Sequence, residues 1–364
     1  MKRRRFTFLT TVAIPGFCLG AAKEDKALAE QFEGICKKHG VPAVTGGIVT
    51  TDGLQVSAAA GVRKAGGKTP VTNSDLWHLG SNTKAMTATL AATFVMEKKL
   101  KWDAKLGDLL PDLMAKATPQ ARGITMAQLL THRSGLPANT DWGSFPAARN
   151  RTDIIRKECA RPLLSEPGST YLYSNVNYMI AGFIAGKLGG GIWEQVITNR
   201  LFKPLGMKAG FGGTGTPGKE DQPWPHGADG KPMPTNGPAQ DNPPSLGPAG
   251  TCHMSLADYA KFIADHLRGS GGGKALLTPA LYKDLHTPPQ GADYAMGWLV
   301  AERDWAGGTV LTHNGSNTMN FATVWMAPKK GFALVAACNQ AGDAGKKACD
   351  DVVGVLTERR GKNG

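Results

Sequence analysis

Ser81 and Lys84 stand three residues apart in Gly80-Ser81-Asn82-Thr83-Lys84-Ala85-Met86, a spacing that would let an amine take the proton of a serine hydroxyl. The run that follows is rich in good helix formers, and Met86, Leu90 and Phe94 make an i, i+4, i+8 apolar stripe. A buried helix is expected to start here, with Ser81 and Lys84 on one of its faces and its N-terminus adding positive potential around the hydroxyl. Taken alone, Ser-x-x-Lys is short enough to arise by chance in a helix cap followed by a surface lysine.

Two further segments follow in order. Tyr173-Ser174-Asn175 lies inside Glu166–Gly182, and His313-Asn314-Gly315-Ser316 follows Val310-Leu311-Thr312, which reads as the end of a strand. With these in place the chain resembles the serine β-lactamase and penicillin-binding superfamily, in particular its class C-like branch of β-lactamases, DD-peptidases, D-aminopeptidases and esterases. Ile124–Pro137 is similar to that branch's "LLTHTSGLP" segment and Phe202–Met207 to its "PLGM" turn, so the likeness runs from about Val41 to Val355.

The resemblance implies roles for these residues. Ser81 would be the nucleophile, and Lys84 and Tyr173 would supply the base between them, the acylation base being left open because coupled groups do not titrate singly. Asn175 would orient the lysine and the substrate carbonyl, and the oxyanion would be held by the N–H groups of Ser81 and Ser316. Gly315 suits a position of close backbone approach. The third motif departs from the β-lactamase pattern, where Lys-Thr-Gly or Lys-Ser-Gly supplies a cation for the substrate carboxylate. His313 is instead like the DD-peptidase, D-aminopeptidase and esterase members, and Asn314 stands where a hydroxyl is usual. A histidine there is largely neutral near pH 7, so carboxylate recognition is expected to be weak.

The expected function is therefore that of a serine hydrolase acting through an acyl-enzyme on an ester or a D-amino-acid peptide. The competing readings are a penicillin-binding or sensor module with negligible turnover and a true class C β-lactamase. Expected partners are a small ester, a peptide or a peptidoglycan-derived substrate. No cofactor is implied. The other seven histidines show no metal-ligand spacing, and His132 reads as a hydrogen-bonded structural residue.

The elements that must position these residues come from both ends of the chain. Residues 26–40 read as a helix, Ala43–Thr50 and Leu54–Val62 as a strand pair around Asp52-Gly53, and four strands are expected near Ala295–Ala301, Thr309–His313, Asn320–Met326 and Phe332–Cys338, before a closing helix from Gly342 to Arg359. The fold class is α+β: an antiparallel sheet flanked by helices (about 23–80 and 250–364) with an inserted, mostly helical lobe (about 81–249), as in β-lactamases and transpeptidases. Residues 204–248 hold ten of the 23 prolines, which suggests either a linker or a long ordered loop at the rim of the site.

Composition bounds the rest. With 41 % hydrophobic residues the chain can bury a large core, and no apolar run approaches the roughly 20 residues that span a bilayer. Residues 1–22, with Lys2-Arg3-Arg4-Arg5 before a short apolar stretch, read as a signal peptide of the Sec or twin-arginine kind, which implies a periplasmic or extracellular protein. The net charge of +13 is dispersed rather than interleaved with aromatics, which argues against a nucleic-acid partner. Loss of Cys18 with the leader leaves five cysteines in an oxidising compartment. Because the superfamily packs its terminal helices together, Cys36–Cys349 is the first candidate disulfide, and Cys159–Cys252 the second.

Overall fold

Small and β-branched residues near both ends of the chain combine into one sheet. In a computed structural model that describes residues 23–142, 151–233 and 236–362, ten strands are present: β1 (Lys23–Glu24), β2 (Ala43–Thr50), β3 (Gly53–Gly61), β4 (Trp77–His78), β5 (Ala209–Phe211), β6 (Cys252–Met254), β7 (Leu299–Arg303), β8 (Gly308–Ser316), β9 (Phe321–Ala327) and β10 (Phe332–Cys338). Seven of them form a sheet in the order β1-β3-β2-β10-β9-β8-β7, antiparallel except for the short parallel β1–β3 pair. The chain is α+β. The expected leader, residues 1–22, lies outside the described residues.

Each face of this sheet is covered. The helix Lys26–His39 begins at Asp25, whose carboxylate accepts from the Leu28 N–H at 3.0 Å, and ends at Gly40 with φ 63°. Its stripe of Leu28, Phe32, Ile35 and Cys36 packs with the last helix, Gly342–Lys362, against one face. The helix Leu256–Ser270, capped by Ser255, covers the other face behind β2 and β3. The remaining helices build the larger core around Thr83–Met96.

That helix is buried on every side from Thr83 to Phe94, so the expected apolar stripe is only part of its contact surface. Its four threonines make the burial tolerable. Thr83, Thr87, Thr89 and Thr93 donate their hydroxyls to the carbonyls of Gly80, Pro248, Ala85 and Leu90 at 2.7–2.8 Å.

Several expectations need correction. The seventh strand starts at Leu299 rather than Ala295, because Ala295–Trp298 is a buried bend in which the Ala295 N–H donates to the Trp298 carbonyl at 2.8 Å. The eighth continues past His313 to Ser316, since β9 pairs it through to Ser316↔Phe321. A second small sheet, β4-β6-β5, was not signalled by any alternation in strands this short. Neither disulfide forms. Cys36, Cys159, Cys252, Cys338 and Cys349 are buried free thiols that pack as small apolar groups, Cys36 pointing its thiol at the Ala60 carbonyl. Burial pushes the thiols of Cys36 and Cys159 up to about 12.

The proline-rich stretch is a long ordered loop in its described part. The Trp224 N–H donates to the Arg63 carbonyl and the His226 N–H to those of Met319 and Asn339, while Arg151 holds the carbonyls of Pro244 and Ser245.

Candidate active site

The 3₁₀ turn Gly80–Asn82 leads into the helix Thr83–Met96, placing Lys84 one turn after Ser81. The Lys84 side chain is fully buried, and its Nζ donates to Ser81 Oγ at 3.0 Å, Asn175 Oδ1 at 2.8 Å and the Ala249 carbonyl at 2.7 Å. All three acceptors are neutral. Burial without a counter-charge therefore drives the amine well below its usual value, toward the form that can accept a proton.

Tyr173 reaches the same point from the segment before the helix Asn175–Leu188. That helix is capped by Ser174, whose Oγ accepts from the Asn177 N–H at 3.2 Å, and Ser174 Oγ itself donates to the Pro137 carbonyl. The Tyr173 ring lies 4.7 Å from Lys84 Nζ, and Ser81 stands near enough to its hydroxyl to offset part of the effect of burial. Burial moves this phenol in the opposite direction from the lysine, well above the ordinary tyrosine value. Asn175 uses its other end on Asn139, donating from Nδ2 at 2.8 Å.

The third segment arrives along β8. Strand β7 pairs β8 only as far as Leu299↔Thr312, so His313–Ser316 run on past its end with one edge free to meet the Ser81 turn. The approach is close. A Cβ on Gly315 would sit 1.9 Å from the Leu79 carbonyl oxygen and 2.9 Å from the Ser81 nitrogen, and one on Gly80, where φ is +49°, would sit 2.4 Å from the Ser316 nitrogen. Only glycine fits either place. As a first-turn residue, Ser81 has an N–H with no partner inside its own helix, and it faces the end of β8.

His313 is in the site, but its ring is engaged on both sides. Nδ1 lies 2.7 Å from the Asn314 carbonyl, which only accepts, so this nitrogen carries the hydrogen and Nε2 accepts from the Tyr294 hydroxyl at 2.9 Å. Burial, reinforced by Lys84, lowers its pKa to about 3. Asn314 is exposed at the same edge, its Oδ1 accepting from Thr323 at 2.8 Å. His132 also belongs here: its Nδ1 accepts from the Ser174 N–H at 3.0 Å, and its ring packs against Tyr171, Tyr173, Tyr178 and Tyr294.

All seven residues singled out in the sequence, Ser81, Lys84, Tyr173, Asn175, His313, Gly315 and Ser316, thus converge. Sequence reasoning missed Tyr294 and the Ala249 carbonyl. Neither lies in a spacing pattern, and a backbone acceptor carries no residue signal at all. Among the described residues no group of three or more His, Cys, Asp or Glu side chains could hold a metal ion, and no helix is long and apolar enough to cross a membrane.

The family model described as Beta-lactamase matches residues 25–356. The chain belongs to this family. Its members are β-lactamase and transpeptidase-like serine hydrolases, and the protein is a serine hydrolase. The chain is 27 % identical over 340 residues to penicillin-binding protein 4 of Amycolatopsis lactamdurans, covering 85 % of this chain and 84 % of that one. It is 26 % identical to the unguisins hydrolase ungD' of Aspergillus campestris over 74 % of this chain, but spans only 54 % of the fungal protein. Among solved structures, the D-alanine carboxypeptidase AmpC from Burkholderia cenocepacia superposes with a TM-score of 0.71 at 22 % identity, covering 91 % of this chain and 98 % of that one. A D-stereospecific amidohydrolase from Streptomyces sp. gives 0.71 at 21 % identity, with 89 % and 98 % covered. These likenesses to solved structures establish the shared fold of the family.

Proposed function

We propose that this serine hydrolase works through an acyl-enzyme on Ser81 and that its substrates are esters or D-amino-acid amides rather than β-lactams. The observation that carries the reading is the lysine: Lys84 is buried, faces only neutral acceptors and lies 3.0 Å from Ser81 Oγ. A neutral amine there takes the Ser81 proton as Oγ attacks the substrate carbonyl carbon. Tyr173, kept protonated by burial, then gives its proton to the leaving oxygen or nitrogen as that bond breaks, and recovers one from the Lys84 ammonium. Water cleaves the ester on Ser81 by the same route, its proton passing to the Lys84–Tyr173 pair while Ser81 regains one. The N–H groups of Ser81 and Ser316 receive the oxyanion.

The substrate class follows from the third motif. His313 is neutral and has both nitrogens occupied, so it supplies no cation for a carboxylate. A D-stereospecific amidohydrolase and an unguisins hydrolase among the similar proteins support a hydrolytic reading. The name D-alanine carboxypeptidase keeps a D-Ala-D-Ala peptide in the comparison. Export remains part of the proposal, resting on residues 1–22 alone, and N-terminal sequencing of secreted protein tests it.

The decisive experiment combines labelling with turnover. A fluorophosphonate is expected to label one peptide, the one containing Ser81, and Ser81→Ala to abolish both labelling and hydrolysis. Label on Ser134, Ser174 or Ser316 overturns the assignment. On a panel of a chromogenic short-chain ester, a D-amino-acid amide, a D-Ala-D-Ala peptide and a chromogenic cephalosporin, kcat/KM is expected to be highest for the ester or the amide. A cephalosporin preference identifies a β-lactamase, and stoichiometric labelling without turnover a sensor.

A further inference from the structure

Behind the Ser81 turn lies a buried histidine–carboxylate pair that the catalytic steps do not use. The side chains of His78, next to the turn, and Asp241, on the proline-rich loop, are 1 % and 5 % exposed, and His78 Nε2 lies 3.0 Å from Asp241 Oδ2. His78 Nδ1 accepts from the Gly80 N–H at 3.1 Å. Because that N–H can only donate, the ring hydrogen sits on Nε2 and is given to the carboxylate.

The other carboxylate oxygen faces the opposite wall. Asp241 Oδ1 accepts from Asn317 Nδ2 at 2.8 Å, and Asn317 Oδ1 in turn accepts the N–H groups of Met319 and Asn320 at 3.2 and 2.9 Å. Ser316 closes the same turn, its hydroxyl donating to the Asn320 carbonyl at 2.8 Å. Burial pushes the Asp241 carboxyl upward, but His78 and the Asn317 amide outweigh it and hold it below the usual range, so an ionised group sits at the centre of the bridge.

We infer that Asp241 is a positioning residue which, through His78 on one side and Asn317 on the other, sets the spacing between the N–H groups of Ser81 and Ser316. One carboxylate thus ties together the two strands of backbone that carry the oxyanion donors, where Gly80 and Ser316 pass too close for any side chain between them. The inference rests on the acyl-enzyme reading above. It adds that the proline-rich loop is part of the catalytic scaffold, because Asp241 belongs to it.

The test separates transition-state alignment from substrate binding. His78→Gln keeps a donor near Asp241 and loses the acceptor for the Gly80 N–H, whereas His78→Asn keeps that acceptor and loses the donor to Asp241. Asp241→Asn makes a donor face one of its two donors. His78→Gln, His78→Asn and Asp241→Asn, each of which breaks the bridge at a different link, are expected to lower kcat on the best panel substrate about 10- to 100-fold with KM within threefold. Affinity for an aryl boronic acid, whose tetrahedral adduct places an oxygen between the two N–H groups, should weaken by the same factor as kcat. The inference is overturned if kcat and boronate affinity stay at wild type in His78→Gln and Asp241→Asn, if only KM moves, or if His78→Asn, which cuts only the link to Asp241, stays at wild type. Labelling distinguishes the two levels: a protein that still reacts when Ser81 is alanine refutes the acyl-enzyme reading, while Ser81-dependent activity untouched by these variants refutes only the bridge.

Discussion

Two cations are buried beside the same stretch of chain, residues 244–249, and they are treated in opposite ways. Arg151 meets Glu194 through two hydrogen bonds, at 2.7 and 3.2 Å, and donates to the carbonyls of Ser245 and Pro244. Lys84 donates to the Ala249 carbonyl a few residues further on, but its other partners are a hydroxyl and an amide. With a carboxylate beside it, a buried charge is retained and fixes structure; without one, the cheapest response is to release the proton. The difference separates a clamp from a proposed base within one short segment.

Removing each cation should break a different property, and the largest expected effect is on catalysis. Lys84→Met deletes an uncompensated amine, so turnover should fall by roughly 10²–10⁴ while the melting temperature holds or rises. Near-wild-type turnover would refute the base assignment. Arg151→Met removes the guanidinium that Glu194 meets at 2.7 Å and should cost about 3–5 kcal/mol of stability by denaturant titration. A small loss there would mean that the clamp is ornamental.

Giving the lysine a carboxylate sharpens the contrast. Asn175→Asp places a negative group where Oδ1 now lies 2.8 Å from Lys84 Nζ, while Asn139 turns its amide to meet the other oxygen. The lysine's pKa then rises, so the neutral amine forms only at higher pH. The acid limb of kcat/KM is expected to shift upward, with activity lost at pH 7 and partly recovered in alkali. An unmoved limb would show that the Lys84 proton is not what that limb reports.

The smallest effect is on stability in acid. Burial lowers His286 and His313 to about 3, and His132 and His266 well below their usual range, whereas an unfolded histidine titrates near 6.5. Between those values the unfolded chain binds more protons than the folded one. Stability is therefore fully present above about pH 6.5 and is lost as pH falls toward 3. A series of melting temperatures from pH 7 to pH 4 should decline, and His286→Asn should flatten the decline; a slope unchanged by that variant would exclude His286 as a source.

What could be read in advance depended on distance along the chain. Ser81 and Lys84 share one helical turn, and Tyr173 and Asn175 share one helix start, so residue type and spacing were enough to mark them. The partners that tune them arrive from far away: Tyr294 to His313, Asp241 to His78, and the Ala249 carbonyl to Lys84. Their positions depend on how a loop folds back, which no local period encodes. The same holds for the cysteines, where the resemblance suggests only the Cys36–Cys349 pair and packing leaves five separate thiols. β7 starts later than its residue types suggest because Ala295–Trp298 has the apolar content of a strand and the hydrogen bonding of a bend.

The sheet also has a history in time. Thr50 pairs with Phe332 and Val44 with Cys338, nearly the whole chain apart, so a polypeptide growing from its N-terminus presents β2 and β3 long before β10 exists to join them. The Ser81 helix is likewise synthesised well ahead of Ser316. A ribosome-bound fragment that stops short of the last two strands therefore carries a serine and a lysine but lacks the strand that pairs with Ser316, and the site is assembled only once β9 and β10 have been made.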